Sequence, residues 1–392
     1  MKILSIMPSY YPAVEMGGPI FSVHNLNKEL VSKGNDVFVI TTNAAQLKNV
    51  KINEWLIIDK VRVIYTRYFG PKNLSFSLRF VIEMHRLIKK FDIVHINGIW
   101  NFPILVSIIY SLLYKKPTII SPRGALYLES VKAKKKWLKS AYFFLFLKPL
   151  LKRVFFFHFT SEFDKERFIK FTKLDISSFI IPNGIKFSEY EASKNEFEQI
   201  LILRDKKYIC FLGRINHIKG IDLLIEAFSR INSEFNDLYL VLAGPVENYY
   251  LSTLQKLIKD FGVSEKIIFT GLLNHKEKIS LLKFSKMMIL PSRSENFGNV
   301  VIEALICKTP IIISNKVGLY REIKNTKSGL ICEPNPESIL NCMYQILKNK
   351  DLANLLVHNG YSFVRNYSLD STVKSFINVY KEIISKGFKN EK

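Results

Sequence analysis

Cysteine is scarce. The four present among 392 residues (Cys210, Cys307, Cys332 and Cys342) share no metal-ligand spacing and are too few to staple a chain of this size. That excludes a disulfide framework, gives no support to a zinc site and fits a reducing cytoplasm. Glycine (17) and proline (14) are too few for a collagen-like or low-complexity chain. Long apolar runs are missing too: the two longest, 102–114 and 141–147, fall well short of the ~20 residues that span a bilayer. The opening run 2–7, followed by Pro8, is too short for the apolar core of a signal peptide. Acidic residues are outnumbered, 34 against 57 Lys+Arg, for a formal charge of +23. A surplus of that size calls for an anionic partner such as nucleic acid, acidic lipid or a polyanionic substrate. The basic residues are scattered, and no helix-turn-helix, RNP or zinc-finger pattern accompanies them, so nucleic-acid binding is a remote alternative.

What the chain has is a rhythm. Short β-rich runs (2–7, 37–41, 61–65, 92–96, 118–121) alternate with helical periodicity over 20–32, 76–90 and 102–114. A polar stretch at 186–199 interrupts it. The alternation then restarts, with strands at 208–212, 238–243, 267–269, 287–290 and 310–313 between helices, and ends in helices up to 385. Strands separated by helices of 10–15 residues imply βαβ units and parallel sheets. The expected fold class is α/β with two Rossmann-like domains, 1–185 and 207–369. The segment 186–206 is the expected linker, and the helix 370–386 is expected to return to the first domain.

Three segments carry candidate chemistry. Ser292 to Ala304 follows an apolar strand and opens a helix, which places its loop at the carboxyl end of a strand, where open α/β sheets bind ligands. Gly298 allows close backbone approach, and the amides that follow it favour a phosphate. Glu295 in the loop and Glu303 on the helix are hydrogen-bond acceptors suited to sugar diols flanking a diphosphate. The same residues also suit a plain capped helix with acids complementing its dipole. The second segment, Gly213-Arg214 through Lys219-Gly220, offers two cations for a diphosphate. Solvated surface cations are the bland alternative. The third is Gly17-Gly18-Pro19 after the first strand. It lacks the GxGxxG spacing of a nicotinamide or flavin site, yet it can turn backbone amides towards a phosphate.

Together these segments resemble the retaining glycosyltransferases of family 4. The resemblance covers nearly the whole chain and is most specific where Gly213-Arg214, Lys219-Gly220, Ala243-Gly244-Pro245, Phe269-Thr270-Gly271, Pro291-Ser292, Glu295 to Gly298 and Glu303-Ala304 follow one another in the family's order. It implies the GT-B fold, two Rossmann-like domains facing across a cleft. It also implies that Glu303 holds the nucleotide ribose, Glu295 the hydroxyls of the transferred sugar, and Arg214 with Lys219 the departing diphosphate. Arg214, Lys219 and Glu295 are then the catalytic set. Gly17, Gly18, Gly213, Asn296, Phe297, Gly298, Asn299 and Glu303 form the donor-binding set. In the first half, the stretches Asp92 to Trp100, Ser121 to Gly124 and Ile180 to Gly184 are similar to members that build bacterial surface polysaccharides. His95, Asn97 and Arg123 are candidate acceptor or sugar contacts. Arg123 stands where many members have His, and Lys308 where many have Gly.

A fourth feature is the run 131–153, which holds eight Lys/Arg and no acid. On helical spacing Lys132, Lys135, Lys136 and Lys139 share one face, and Trp137, Leu138, Ala141, Tyr142 and Leu145 another. This is the pattern of a basic amphipathic helix lying on an anionic membrane; an apolar face packed on its own sheet with solvated lysines is the alternative. Lys134, Lys135, Lys136, Trp137 and Lys139 are the expected membrane contacts. The expectation is a metal-independent hexosyl- or N-acetylhexosaminyl-transferase without a cofactor, using a UDP- or GDP-sugar as co-substrate and a lipid-linked glycan as acceptor. It would work peripherally at the inner face of the cell membrane. There is no DxD triplet, so cations and helix ends carry the leaving-group charge; the resemblance implies that the leaving phosphate takes the acceptor's proton. A soluble enzyme of the same fold, either a small-glycoside transferase or a sugar-nucleotide epimerase, is the alternative that needs no basic run.

Overall fold

A computed structural model of the chain describes all residues except 48–49, 128–141, 154–155, 192–202, 204 and 388–392. It divides into two compact units, Met1–Gly184 with the chain from Leu369 onward, and Ile185–Ser368.

The first unit is built on an eight-stranded sheet. In chain order its strands are β1 (Lys2–Ile6), β2 (Asp36–Thr42), β3 (Trp55–Ile58), β4 (Val61–Thr66), β5 (Ile93–Asn97), β6 (Thr118–Ser121), β7 (Phe156–Phe159) and β8 (Ser178–Ile180). They lie side by side as β3-β4-β2-β1-β5-β6-β7-β8. All pairings are parallel except β3 with β4. Alternate residues feed two separate cores. Leu4, Ile40, Ile64 and Ile96 enter one, and Ile3, Val39, Val63 and Ile93 the other. A sheet buried on both faces explains why these strands read as unbroken apolar runs.

The helix Leu369–Lys386 closes the second of these cores through Val373, Phe376, Tyr380 and Ile383. Their spacing of three and four residues sets them on one helical stripe. Gly184 sits where this helix begins. A Cβ there would lie 2.6 Å from the Leu369 Cα and 2.7 Å from the Thr372 hydroxyl, so only glycine lets the two segments touch.

The second unit holds β9 (Lys207–Leu212), β10 (Leu238–Ala243), β11 (Ile267–Gly271), β12 (Met288–Leu290), β13 (Ile311–Ser314) and β14 (Leu330–Cys332). Their order is β11-β10-β9-β12-β13-β14, all parallel. This is the doubly wound arrangement in which the strand order reverses between two neighbours, here β9 and β12. The crevice at the carboxyl ends of those two strands is where such sheets take ligands. Phe187, Tyr190 and Leu203, from the stretch expected to link the domains, pack on this unit's core, as does Ile185, expected to end the first domain.

The strands β3, β7 and β8 and the helix Glu162–Thr172 are absent from the sequence expectation. The β3–β4 hairpin turns at Asp59 and Lys60, both with positive φ (47° and 70°). That turn ordinarily announces itself by glycine or asparagine. Lys308, in place of the family's glycine, likewise holds φ at 59°. Of the basic run, 131–141 lies outside the described residues, and with it the expected contacts Lys134, Lys135, Lys136, Trp137 and Lys139. In the part described, Phe143, Leu147 and Leu151 are buried, whereas Phe144, Leu145 and Phe146 are exposed. Among the described residues no helix is long and apolar enough to cross a membrane.

Candidate active site

The loops leaving β9 and β12 meet at the reversal point of the second sheet. After β9, Gly213 adopts φ +147°, Arg214 follows it, and a short turn, His217–Lys219, ends on Lys219. Asn216 caps that turn by accepting from the Lys219 N–H at 3.3 Å and donates to Glu247 at 2.9 Å. Gly220, at φ +69°, ends it; a Cβ there would come within 2.3 Å of the Pro291 carbonyl oxygen, so the two loops approach backbone to backbone. Gly318 has the same role beside Asn296, whose carbonyl oxygen a Cβ would meet at 1.7 Å.

A bidentate ion pair locks the two loops together. Arg293 donates to both Asp222 oxygens at 2.7 Å and to the His217 carbonyl at 2.8 Å. Tyr250 adds a third donor to Asp222 at 2.7 Å. Burial works to raise the Asp222 carboxyl, but these donors outweigh it and hold it below its usual value. Arg293 falls inside the segment Ser292 to Ala304, where the sequence gives it no role. Its only sequence signal was position, between two motifs that converge on the same crevice.

Within this frame Lys219 pairs with Glu295, both largely buried. Arg214 lies 3.9 Å from Glu247, a partner the sequence did not suggest. Gly298, at φ +88°, opens the helix Asn299–Ile306 with no side-chain cap, so its first turn keeps the orientation that attracts an anion. Phe297 is buried in the core, so its part in any ligand contact is limited to its backbone. Asn296 donates its N–H to the Glu295 carboxylate at 3.2 Å. Glu303 lies in the second turn of the helix and accepts from Lys278 at 2.8 Å. Tyr190 also bonds to it; burial, helped by the nearby Glu303 charge, pushes the Tyr190 hydroxyl far above its usual range. Lys278 and Tyr190 were not legible as site residues.

The first-unit candidates lie at the carboxyl edge of their own sheet. Gly17 (φ +103°) ends the loop after β1, and Gly18 opens the helix Gly18–Ser32, again without a side-chain cap. Asn97 ends β5, and Arg123 follows β6. Arg123 donates to Asn97 Oδ1 at 3.2 and 3.0 Å and to Asn183 Oδ1 at 3.0 Å, and burial pulls its guanidinium down to about 10.

His95 faces the interior. Its ring accepts from the Tyr380 hydroxyl at 2.7 Å, and its other nitrogen meets Ser121 at 2.7 Å. Ser121 bonds to His158 at 2.7 Å, which in turn reaches the Ile181 carbonyl at 2.8 Å. A carbonyl only accepts, so His158 Nε2 carries the proton. The direction of every other bond in the chain follows: Ser121 donates to His158, and His95 donates to Ser121. Both His95 nitrogens are thus used internally, which leaves none for a substrate. Its role is to hold β5, β6 and β7 to the helix Leu369–Lys386.

Fold and crevice define a class, the GT-B glycosyltransferases. The model of Glycosyltransferase Family 4 matches residues 16–189, and that of Glycosyl transferases group 1 matches residues 192–363. Matched on both halves, the chain belongs to family 4 of the glycosyltransferases. It is similar to an uncharacterized glycosyltransferase of Methanocaldococcus jannaschii, 28% identical over 97% of this chain and 98% of that one. It is also similar to the capsular polysaccharide biosynthesis glycosyltransferase CapM of Staphylococcus aureus, 26% identical over 86% and 87%. Among solved structures, HepE of Anabaena in complex with UDP-glucose superposes with a TM-score of 0.77 at 17% identity, over 97% of this chain and all of that one (100%).

Proposed function

We propose that the protein moves a hexose or N-acetylhexosamine, with retention, from a UDP- or GDP-sugar to a hydroxyl of a lipid-linked glycan in the making of a surface polysaccharide (O-antigen, capsule or exopolysaccharide). It does so peripherally, at the cytoplasmic face of the membrane. The observation that carries the donor half is the pairing of two carboxylates with two lysines, Lys219 with Glu295 and Lys278 with Glu303, on either side of an uncapped helix start. A nucleotide diphosphate fits this arrangement. Glu303 takes the ribose diol, the amides after Gly298 take a phosphate, and Arg214 with Lys219 neutralise the charge that grows on the leaving diphosphate. Glu295 takes hydroxyls of the sugar, and no metal is needed for the leaving group. HepE, of the same fold, is solved with UDP-glucose, and CapM is named for capsular polysaccharide biosynthesis; both likenesses support the reading.

Two measurements test it. Calorimetric titration with UDP and GDP should find one that binds, and Glu303→Ala should weaken it by roughly tenfold to a hundredfold, the loss of a charged acceptor. Unchanged affinity in a folded variant removes Glu303 from the ribose. For the acceptor half, the protein should float with anionic vesicles. Exchanging Lys134, Lys135, Lys136 and Lys139 for Glu should abolish flotation, because each near-surface cation contributes about 1 kcal/mol. Failure of the parent to float would favour the soluble transferase, and equal flotation of variant and parent would remove these lysines from the membrane contact.

A further inference from the structure

We propose that Arg123 and Asn97 form an anion subsite, and that a sugar handled by this enzyme, donor or acceptor, carries a carboxylate or phosphate that binds there. The inference rests on the transferase reading above and adds the charge of the substrate.

Arg123 is half-buried, and all three of its hydrogen bonds end on neutral amide oxygens of Asn97 and Asn183. Among the described residues no carboxylate forms an ion pair with it. Asp164 acts on it only through its field. The Asp164 carboxylate is already taken up by the Tyr127 hydroxyl and by the N–H and hydroxyl of Thr160, the last two at 3.0 Å. A guanidinium has five N–H donors, and withdrawing its charge from water without a counter-charge is costly.

A second observation points the same way. Arg123 fixes the Asn97 amide by placing two donors on its oxygen, so the amide cannot be turned round. That leaves Asn97 Nδ2 buried with no hydrogen-bond partner. The corner therefore combines a cation short of an anion with an amide donor short of an acceptor.

Its location suits a ligand. Asn97 and Arg123 stand at the carboxyl ends of adjacent parallel strands β5 and β6, next to Gly98 and Gly124, both with positive φ. Below them, the bonds from Ser121 to His95 and His158 hold the strand ends in place. A neutral sugar would satisfy the amide and leave the charge uncompensated. A carboxylate or phosphate satisfies both, and the planar fork of arginine matches its geometry.

The test is calorimetric titration of the full chain with matched probes that differ only in an acidic group. UDP-glucuronate against UDP-glucose addresses the donor. Glucuronate and glucose 6-phosphate against glucose, each with UDP present, address the acceptor. In at least one pair the acidic probe should bind roughly tenfold to a hundredfold more tightly. Arg123→Gln should remove that advantage, and Arg123→Lys, which keeps the charge without the fork, should retain part of it. Thermal melting checks that each variant is folded. The pair that shows the advantage assigns the anion to donor or acceptor. UDP and GDP alone are the controls: if the parent protein binds neither, the transferase reading itself falls, and if GDP is the one that binds, the same probe pairs are built on GDP. If a nucleotide binds but no pair built on it shows an advantage, or a folded Arg123→Gln keeps it, the anion subsite is wrong.

Discussion

Lys219→Ala is expected to lower the transfer rate at saturating donor by about two to three orders of magnitude, the usual cost of removing a group that stabilises developing negative charge. The free nucleotide diphosphate, UDP or GDP, should lose affinity by much less, because the charge on the leaving diphosphate is largest in the transition state. The structure adds a condition that the residue types alone do not supply. Lys219 and Glu295 are each other's partners, so removing either one also misplaces the other. Glu295→Ala should therefore cost a comparable factor, and the double variant should be little worse than the poorer single one. Steady-state kinetics on the four proteins decides the matter. Multiplicative losses would mean that the two groups act separately, and a wild-type rate in the double variant would remove both from the reaction.

The second large effect is on stability. Burial holds His158 down to about 3 and keeps His95 well below its ordinary value, so both are neutral in the folded chain. In the unfolded chain each titrates near 6.5. A histidine with a depressed native pKa contributes stability that is complete above the unfolded value and is lost as pH falls from there towards the native value. The slope is about 1.4 kcal/mol per pH unit for each group. From pH 7 to pH 5 His158 alone should cost about 2 kcal/mol, and His95 adds to the loss in the same direction, against the ~5–15 kcal/mol that holds a typical domain. Asp164, raised by burial, works in the opposite direction. Urea unfolding followed at several pH values measures the slope, and His158→Gln should reduce it by roughly half. Stability that stays flat between pH 7 and 5 would show that the relay is not closed in solution.

Much of the donor crevice was legible because it is local. Strand, glycine, helix start and Glu303 lie within one short segment, and apolar runs marked most of the strands. What escaped was assembled from distant pieces. Tyr190 falls in a polar stretch where one aromatic among Glu, Ser and Asn has no period to follow, yet it reaches Glu303. Lys278 stands on the exposed-looking face of an ordinary helix, and nothing in its neighbourhood announces Glu303. Arg293 and Asp222 find each other only once β9 and β12 are known to be neighbours. The relay drew its members from β5, β6, β7 and the helix Leu369–Lys386, and each histidine alone reads equally well as a surface or a core residue.

The bond from Tyr380 to His95 joins residues 285 positions apart. At roughly 5–20 residues per second, a ribosome makes β5 about 15–60 s before it supplies the hydroxyl that completes its histidine. During that interval the core of Ile3, Val39, Val63 and Ile93 has the helix Gly18–Ser32 on it but lacks the stripe of Val373, Phe376, Tyr380 and Ile383, while the unit formed by Ile185–Ser368 has everything it needs as soon as Ser368 emerges. The unit synthesised first is thus the one finished last. An arrest or frameshift after Ser368 would release a chain with one sound half and one apolar face only partly covered, a ready substrate for chaperones and proteases.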